Sequence, residues 1–293
     1  MRARQPDRQG LVERGGVRIH HETYENSGPT VVLVPTWCLL HSRSWKFQIP
    51  YLSRHYRVVT YDPRGNGGSD RPRGPEQHSW RHYLDDLLAV LDVTGTEHAV
   101  LVGVSFSGYW ANLASVLHPD RVRGVVSIAP VAALGIGHPE RARHSYTEVL
   151  DTDEGWAKDN VHFIRSNYRE YVEFFISEIF SEAHSTKAIE DCVGWAMETD
   201  AEMLISSDLA DLVPDPDMPA FYRTMTRPLL LIHGDQDRII PLESSRRLAD
   251  LTGGALVTLQ GAGHCPQVRD PVKVNLLIRE CVDRLAAARG VPA

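Results

Sequence analysis

Three stretches of the chain carry residue types that make a nucleophile when they are brought together. "LVGVSFSGYW" (101–110) sets Ser105 between a run of aliphatic residues and a segment of helical period. A serine hydroxyl is a weak nucleophile that needs a base, and the base needs a third group to orient it. "LLLIHGDQDRIIP" (229–241) offers Asp235 and Asp237 in one turn, and "LQGAGHCPQVRDP" (259–271) offers His264 in a glycine-containing loop. The chemistry of such a set is acyl transfer, and on residue type alone either aspartate serves. Side chains this far apart in sequence converge if all three loops leave the carboxyl edge of one parallel sheet.

The first stretch differs from the common elbow pattern G-x-S-x-G, because Ser107 stands at the second glycine position and the glycine follows at Gly108. Gly103 leaves room for a sharp strand-to-helix turn. At position 107 the expected requirement is small size, which serine meets with only a β-carbon and a hydroxyl more than glycine.

The elements that must position these residues read clearly. "LVERGGVRIHHETY" is a hairpin about Gly15–Gly16, followed by short buried-type runs at 30–34, 56–61, 98–103, 123–129, 227–234 and 255–260. Helix-period segments lie between them: "SRSWKFQIPYLSRH", "SWRHYLDDLLAVLDVTG", "SFSGYWANLASVLHPD", "LESSRRLADLTG" and "DPVKVNLLIRECVDRLAAARG". In the second, Tyr83, Leu87, Val90 and Leu91 share a face, while Asp85, Asp86 and Asp92 lie off it. This alternation predicts an α/β fold: a mostly parallel central sheet of about eight strands, helices on both faces and a hairpin at the start. The alternation breaks between about His138 and Met225, where "REYVEFFISEIFSEAHSTKAIEDCVGWAM" reads as two amphipathic helices hinged near "SEAHS". The expected organisation is a core of 1–135 and 226–293 with a helical insertion at 136–225. The stretch 138–225 holds 11 of the 23 aromatic residues and every methionine except the first, apolar surface suited both to its own small core and to a pocket wall.

With these motifs in order, the chain resembles the α/β-hydrolase superfamily, in its serine-nucleophile, lid-bearing, esterase-like branch. The resemblance rests on "GVSFSG", "YDPRGNGGSDRP", "HGDQDRIIP" and "GAGHCPQVRDP", and covers roughly 11–135 and 226–289. It implies Ser105 as nucleophile, Asp237 as the acid with Asp235 in reserve, and His264 as base. The backbone N–H groups of Phe106 and Trp37 would form the oxyanion hole, and Asp62 and Arg64 would brace the site. A serine at the elbow separates the chain from the related haloalkane dehalogenases and epoxide hydrolases, which use aspartate there. One motif departs: Pro35–Thr36 replace the family's His-Gly, so the loop is expected to run differently and to bring Thr36 or His41 towards the site. Together with Val104 and, from the insertion, Trp195 and Met197, these are the candidate substrate contacts. "DPRGNGGSD" lacks the Lys-Ser/Thr ending of a phosphate loop.

The implied reaction is hydrolysis of a carboxylic ester of a mainly apolar small molecule, with no metal or organic cofactor. The same triad also serves carbon–carbon bond cleavage beside a ketone and acyl transfer to another acceptor, and the fold can be kept by a non-catalytic ligand receptor. Composition fits a globular enzyme: 42% hydrophobic, 24% charged, formal charge −7, with no basic excess to attract nucleic acid. The N-terminus lacks the apolar stretch of a signal peptide, no run is long enough to span a bilayer, and the four cysteines show no paired spacing. The expectation is a cytoplasmic protein with reduced thiols.

Overall fold

The computed structural model describes residues 3–288, so the outermost residues of the predicted core, 1–2 and 289–293, lie outside the described residues. Eight strands form one sheet in the order β1-β2-β4-β3-β5-β6-β7-β8. They are β1 (Arg8–Arg14), β2 (Val17–Tyr24), β3 (Thr30–Leu33), β4 (Arg57–Tyr61), β5 (Ala99–Val104), β6 (Val122–Ile128), β7 (Leu229–Gly234) and β8 (Ala255–Leu259). β1 and β2 make the antiparallel hairpin, β2 pairs antiparallel with β4, and every pairing from β4 to β8 is parallel.

The strands are nearly continuous in hydrophobicity because both faces are covered. Val31, Leu33, Val100, Val102 and Val104 enter one core, together with residues of α1 (Ile49–Leu52) and α11 (Pro271–Ala287). Val32, Val34, Ala99 and Leu101 point the other way, into a core shared with α2 (Trp80–Val93), α3 (Phe106–Leu117) and α9 (Leu242–Thr252). This is the period-two alternation of a strand, with both sides apolar.

Between β6 and β7 lie α4 (Val161–Ser166), α5 (Tyr168–Ile179), α6 (Thr186–Ala196), α7 (Ala201–Asp208) and α8 (Met218–Arg223). The hinge predicted near "SEAHS" is the break between α5 and α6. α8 behaves differently from the rest, since Met218, Tyr222 and Met225 pack into the core beneath α2, α3 and α9. The methionines of this stretch therefore fill cores rather than a cavity wall.

Two segments depart from the simplest reading of their patterns. The segment 42–55 is not one helix: it forms a 3₁₀ turn at Ser42–Trp45 and the short α1, with Pro50 in the first turn of α1. Proline has no N–H to continue a helix and tolerates only such a first-turn position. Asp86 lies off the apolar face of α2 yet is buried, with both carboxylate oxygens bonded at 2.7 Å by the Arg64 guanidinium. Arg64, from the loop after β4, is thereby tied to α2, the helix that this loop leads into.

Candidate active site

Ser105 stands between β5 and α3 with φ 56° and ψ −122°, a backbone conformation that non-glycine residues rarely adopt. The turn is held on both sides. Its N–H donates to the Ile128 carbonyl at 2.9 Å, and its carbonyl accepts from Tyr109 and Val131, each at 3.2 Å. Gly103 is required by this turn, since a Cβ there would sit 2.3 Å from the Ser107 carbonyl carbon and oxygen. Ser107 does more than stay small. Its buried hydroxyl accepts the Val104 N–H at 2.7 Å and donates to the Val104 carbonyl at 2.8 Å, closing the elbow from inside.

The acid turn and the histidine loop are drawn together at the ends of β7 and β8. The N–H of Asp235 donates to Leu259 and that of Gln236 to Ala262, and a Cβ at Gly234 would meet the Ala262 carbonyl oxygen at 2.1 Å. This close approach selects Asp237. Its side chain is fully buried; Oδ1 accepts the N–H groups of Ile239 and Ile240 at 2.7 and 3.0 Å, and Oδ2 lies 2.8 Å from His264 Nδ1. Asp235 instead stays exposed and accepts the Gly261 N–H.

A second imidazole faces Asp237. His233, fully buried at the end of β7, places Nε2 3.1 Å from the same Oδ2 and 3.0 Å from the Ile240 carbonyl, with Nδ1 2.7 Å from Ser245 Oγ. With two acceptors at Nε2, that nitrogen carries the proton and Nδ1 accepts from Ser245. Burial works to raise the Asp237 carboxyl, but the facing His264 and His233 outweigh it and hold the group well below the usual carboxylate range. An ionised Asp237 fixes the Nδ1–H tautomer of His264, leaving Nε2 with the lone pair. Sequence reasoning missed His233, although it stands four residues before Asp237 in the quoted turn.

Ser105 and His264 line the same cavity, of about 480 Å³, whose wall also includes Thr36, Trp37, Val104, Phe106 and Trp195. Phe106 opens α3, so its N–H is one of the donors a helix leaves without an intrahelical partner. The Pro35–Thr36 loop reaches the cavity without any residue at positive φ; the Thr36 hydroxyl ties it to the Val104 carbonyl at 3.2 Å. The structure therefore gathers all the predicted site residues except two. His41 is buried as the cap of the 3₁₀ turn, where Nδ1 accepts the Arg43 N–H, and its ring packs on Trp195 from outside the cavity wall. Met197 ends α6 beyond the wall, so the insertion contributes Tyr146, Phe175, Phe180 and Trp195 instead.

Asp62 and Arg64 lie behind the wall. Asp62 accepts the N–H groups of Ser42 and Gly68 at 3.0 and 2.9 Å and thus joins the loops after β3 and β4. Among the described residues, no group of three or more His, Cys, Asp or Glu is placed to hold a metal, and no helix is long and apolar enough to cross a membrane.

A family model described as alpha/beta hydrolase fold matches residues 29–271. The chain is 27% identical over 251 residues to a 2-hydroxymuconate semialdehyde hydrolase of Pseudomonas sp. (strain CF600), covering 84% of this chain and 83% of that protein. It is 37% identical over 142 residues to epoxide hydrolase A of Mycobacterium tuberculosis, covering 48% of this chain and 42% of the relative. Among solved structures, a putative aryl esterase from Burkholderia cenocepacia superposes with a TM-score of 0.77 at 21% identity, covering 96% of this chain and all of that one. On the family match, the strand order and the elbow after β5, this chain belongs to the alpha/beta hydrolase fold family.

Proposed function

We propose that the protein is a serine hydrolase that cleaves a carboxylic ester of a mainly apolar small molecule through an acyl-enzyme intermediate. The observation that carries this reading is the His264 imidazole, fixed by a buried, ionised Asp237, in the wall of the same cavity as Ser105. Ser105 Oγ attacks the ester carbonyl carbon while His264 Nε2 takes its proton. Asp237 stabilises the imidazolium that forms, and the backbone N–H groups of Phe106 and Trp37 stabilise the oxyanion. The imidazolium then protonates the departing alkoxide. Water repeats the sequence on the acyl-enzyme, with His264 again as base.

Residues 136–225 serve as a lid in this reading, with Tyr146, Phe175, Phe180 and Trp195 closing the cavity over Ser105 and α8 anchoring the insertion to the core. The serine at the elbow sets the chain apart from an aspartate-dependent epoxide opening, despite the partial likeness to an epoxide hydrolase. Four unpaired thiols suit a reducing compartment, such as the cytoplasm. The test is a panel of p-nitrophenyl esters beside vinylogous diketones, with and without alcohol acceptors. Fast ester hydrolysis abolished by Ser105→Ala is the expected result; cleavage of the diketones alone would replace ester hydrolysis with carbon–carbon cleavage.

A further inference from the structure

The cavity wall mixes apolar side chains with several polar ones, and one polar group, around Asp208, has no part in the proposed reaction. Asp208, at the end of α7, accepts the Tyr146 hydroxyl on Oδ2 at 2.7 Å. Beside it, Asp159 is satisfied by the Tyr171 hydroxyl at 3.0 Å and by Arg141, whose Nε and terminal nitrogen bond Oδ2 at 2.9 and 2.8 Å. Arg141, Tyr146, Asp159 and Asp208 all line the cavity that holds Ser105. The two carboxyl groups are therefore not equivalent. Asp159 has its guanidinium, whereas Asp208 has a single full hydrogen bond.

Burial, and then the neighbouring Asp159, push the Asp208 carboxyl up to about 7 despite the Tyr146 hydroxyl and Arg141. A carboxyl in that state has too few partners for its charged form. The second unmet group is Trp37 Nε1. This buried N–H is turned towards Asp208 and favours the ionised carboxyl, but its hydrogen bond there is incomplete. An unpaired buried donor and an under-bonded carboxyl thus face each other in a wall of aromatic rings, with Trp37 packed on Phe106 and Phe175. A buried polar group without a partner carries a desolvation cost that a ligand can relieve.

We propose that Asp208 and Trp37 form a specificity subsite for an alcohol hydroxyl of the substrate, which donates to the Asp208 carboxylate and accepts from the Trp37 indole N–H. A hydroxyl is the simple group that meets both demands at once. A substrate ammonium would satisfy Asp208 but leave the indole donor facing another donor, close to the Arg141 guanidinium. A substrate carboxylate would face two carboxyl groups. Because Trp37 also offers its backbone N–H to the proposed oxyanion, the residue links recognition of the hydroxyl to the reacting carbonyl. The inference rests on the proposed function only in taking this cavity as the substrate site.

The test separates binding from turnover. In Ser105→Ala protein, calorimetry measures the affinity for methyl hexanoate and for its terminal-hydroxy and terminal-amino analogues, with the butanoate and octanoate series covering other reaches. One hydroxy ester should bind about tenfold or more tightly than its plain counterpart, the scale of a hydrogen bond to a charged group. Asp208→Leu in the same background should erase that preference while keeping affinity for the plain ester. Asp208→Asn, which keeps shape and loses charge, should give an intermediate preference and guards against a folding defect. Equal binding of hydroxy and plain esters at every chain length, tightest binding of an amino ester, or a preference that survives Asp208→Leu would each overturn the subsite. Hydrolysis of p-nitrophenyl acetate by the Ser105-intact protein is read separately. Its absence would count against the hydrolase reading and leave the binding result to decide this one.

Discussion

The Ser107 hydroxyl is bonded twice to Val104, accepting its N–H and donating to its carbonyl across the three-residue elbow that presents Ser105. The common glycine at this position could not make either bond. Ser107→Gly therefore leaves the buried Val104 N–H unpaired, and stability should fall by about 1–3 kcal/mol in urea unfolding. Ser107→Val should do worse, since it adds about 1–3 kcal/mol of overpacking to the lost bonds. An unchanged urea midpoint for Ser107→Gly would mean that the hydroxyl contributes only its size.

The two aspartates of the acid turn should separate sharply. Asp237→Asn removes the carboxylate that holds the His264 tautomer, and kcat should fall by about 10⁴-fold with the fold intact. Asp235→Asn alters an exposed contact to the Gly261 N–H and should leave kcat within about threefold, the scale of a surface change of ±0.5 kcal/mol. Steady-state kinetics with circular dichroism as the folding control distinguishes them. The reverse order would move the acid to Asp235.

Asp237 also gives a signed dependence on pH. Its carboxyl titrates lower in the folded chain than in the unfolded chain, where the ordinary value is about 3.9. The native state thus binds fewer protons in this range, so stability falls as pH drops through about 4 and below. Asp62 adds to the same trend: burial works to raise its carboxyl, but the bonds from His20, Ser42 and Gly68 hold it below the usual range. Urea midpoints from neutral to acid pH should decline less steeply for Asp237→Asn than for the wild type. Parallel curves would contradict the assignment.

The buried pair of Arg64 and Asp86 is the most brittle support behind the site. Asp86→Ala strands a guanidinium that has no solvent exposure, and the cost should be about 3–5 kcal/mol. Replacing both partners together, Arg64→Met with Asp86→Leu, should recover much of that loss, because the stranded charge is gone. A double variant no more stable than Asp86→Ala would show that the pair supplies more than mutual neutralisation.

Strands and the elbow were legible because local patterns determine them. A run such as "HAVLVG", short and rich in β-branched residues, suits a strand buried on both faces, and Gly103 before Ser105 marks a turn that admits no Cβ. The convergence of Ser105, Asp237 and His264 was legible through the rule that loops of a parallel sheet share an edge. What escaped was set by side-chain partners distant in the chain. The burial of Asp86 depends on Arg64, 22 residues away, and the surroundings of Asp208 on Tyr146, 62 residues away, and on Trp37, none of which a local pattern reveals. His41 had the right type and the right loop, but its ring was taken by a cap. Met197 and its fellow methionines marked apolar surface correctly without saying which core would receive it.

The central claim is that Ser105 is a nucleophile activated by His264, and fluorophosphonate labelling read by intact mass and peptide mapping tests it most directly. One adduct per chain is expected, on Ser105, absent from Ser105→Ala and strongly slowed in His264→Ala. Equal labelling of the wild type and Ser105→Ala, or a His264→Ala protein that labels at the wild-type rate, would contradict it.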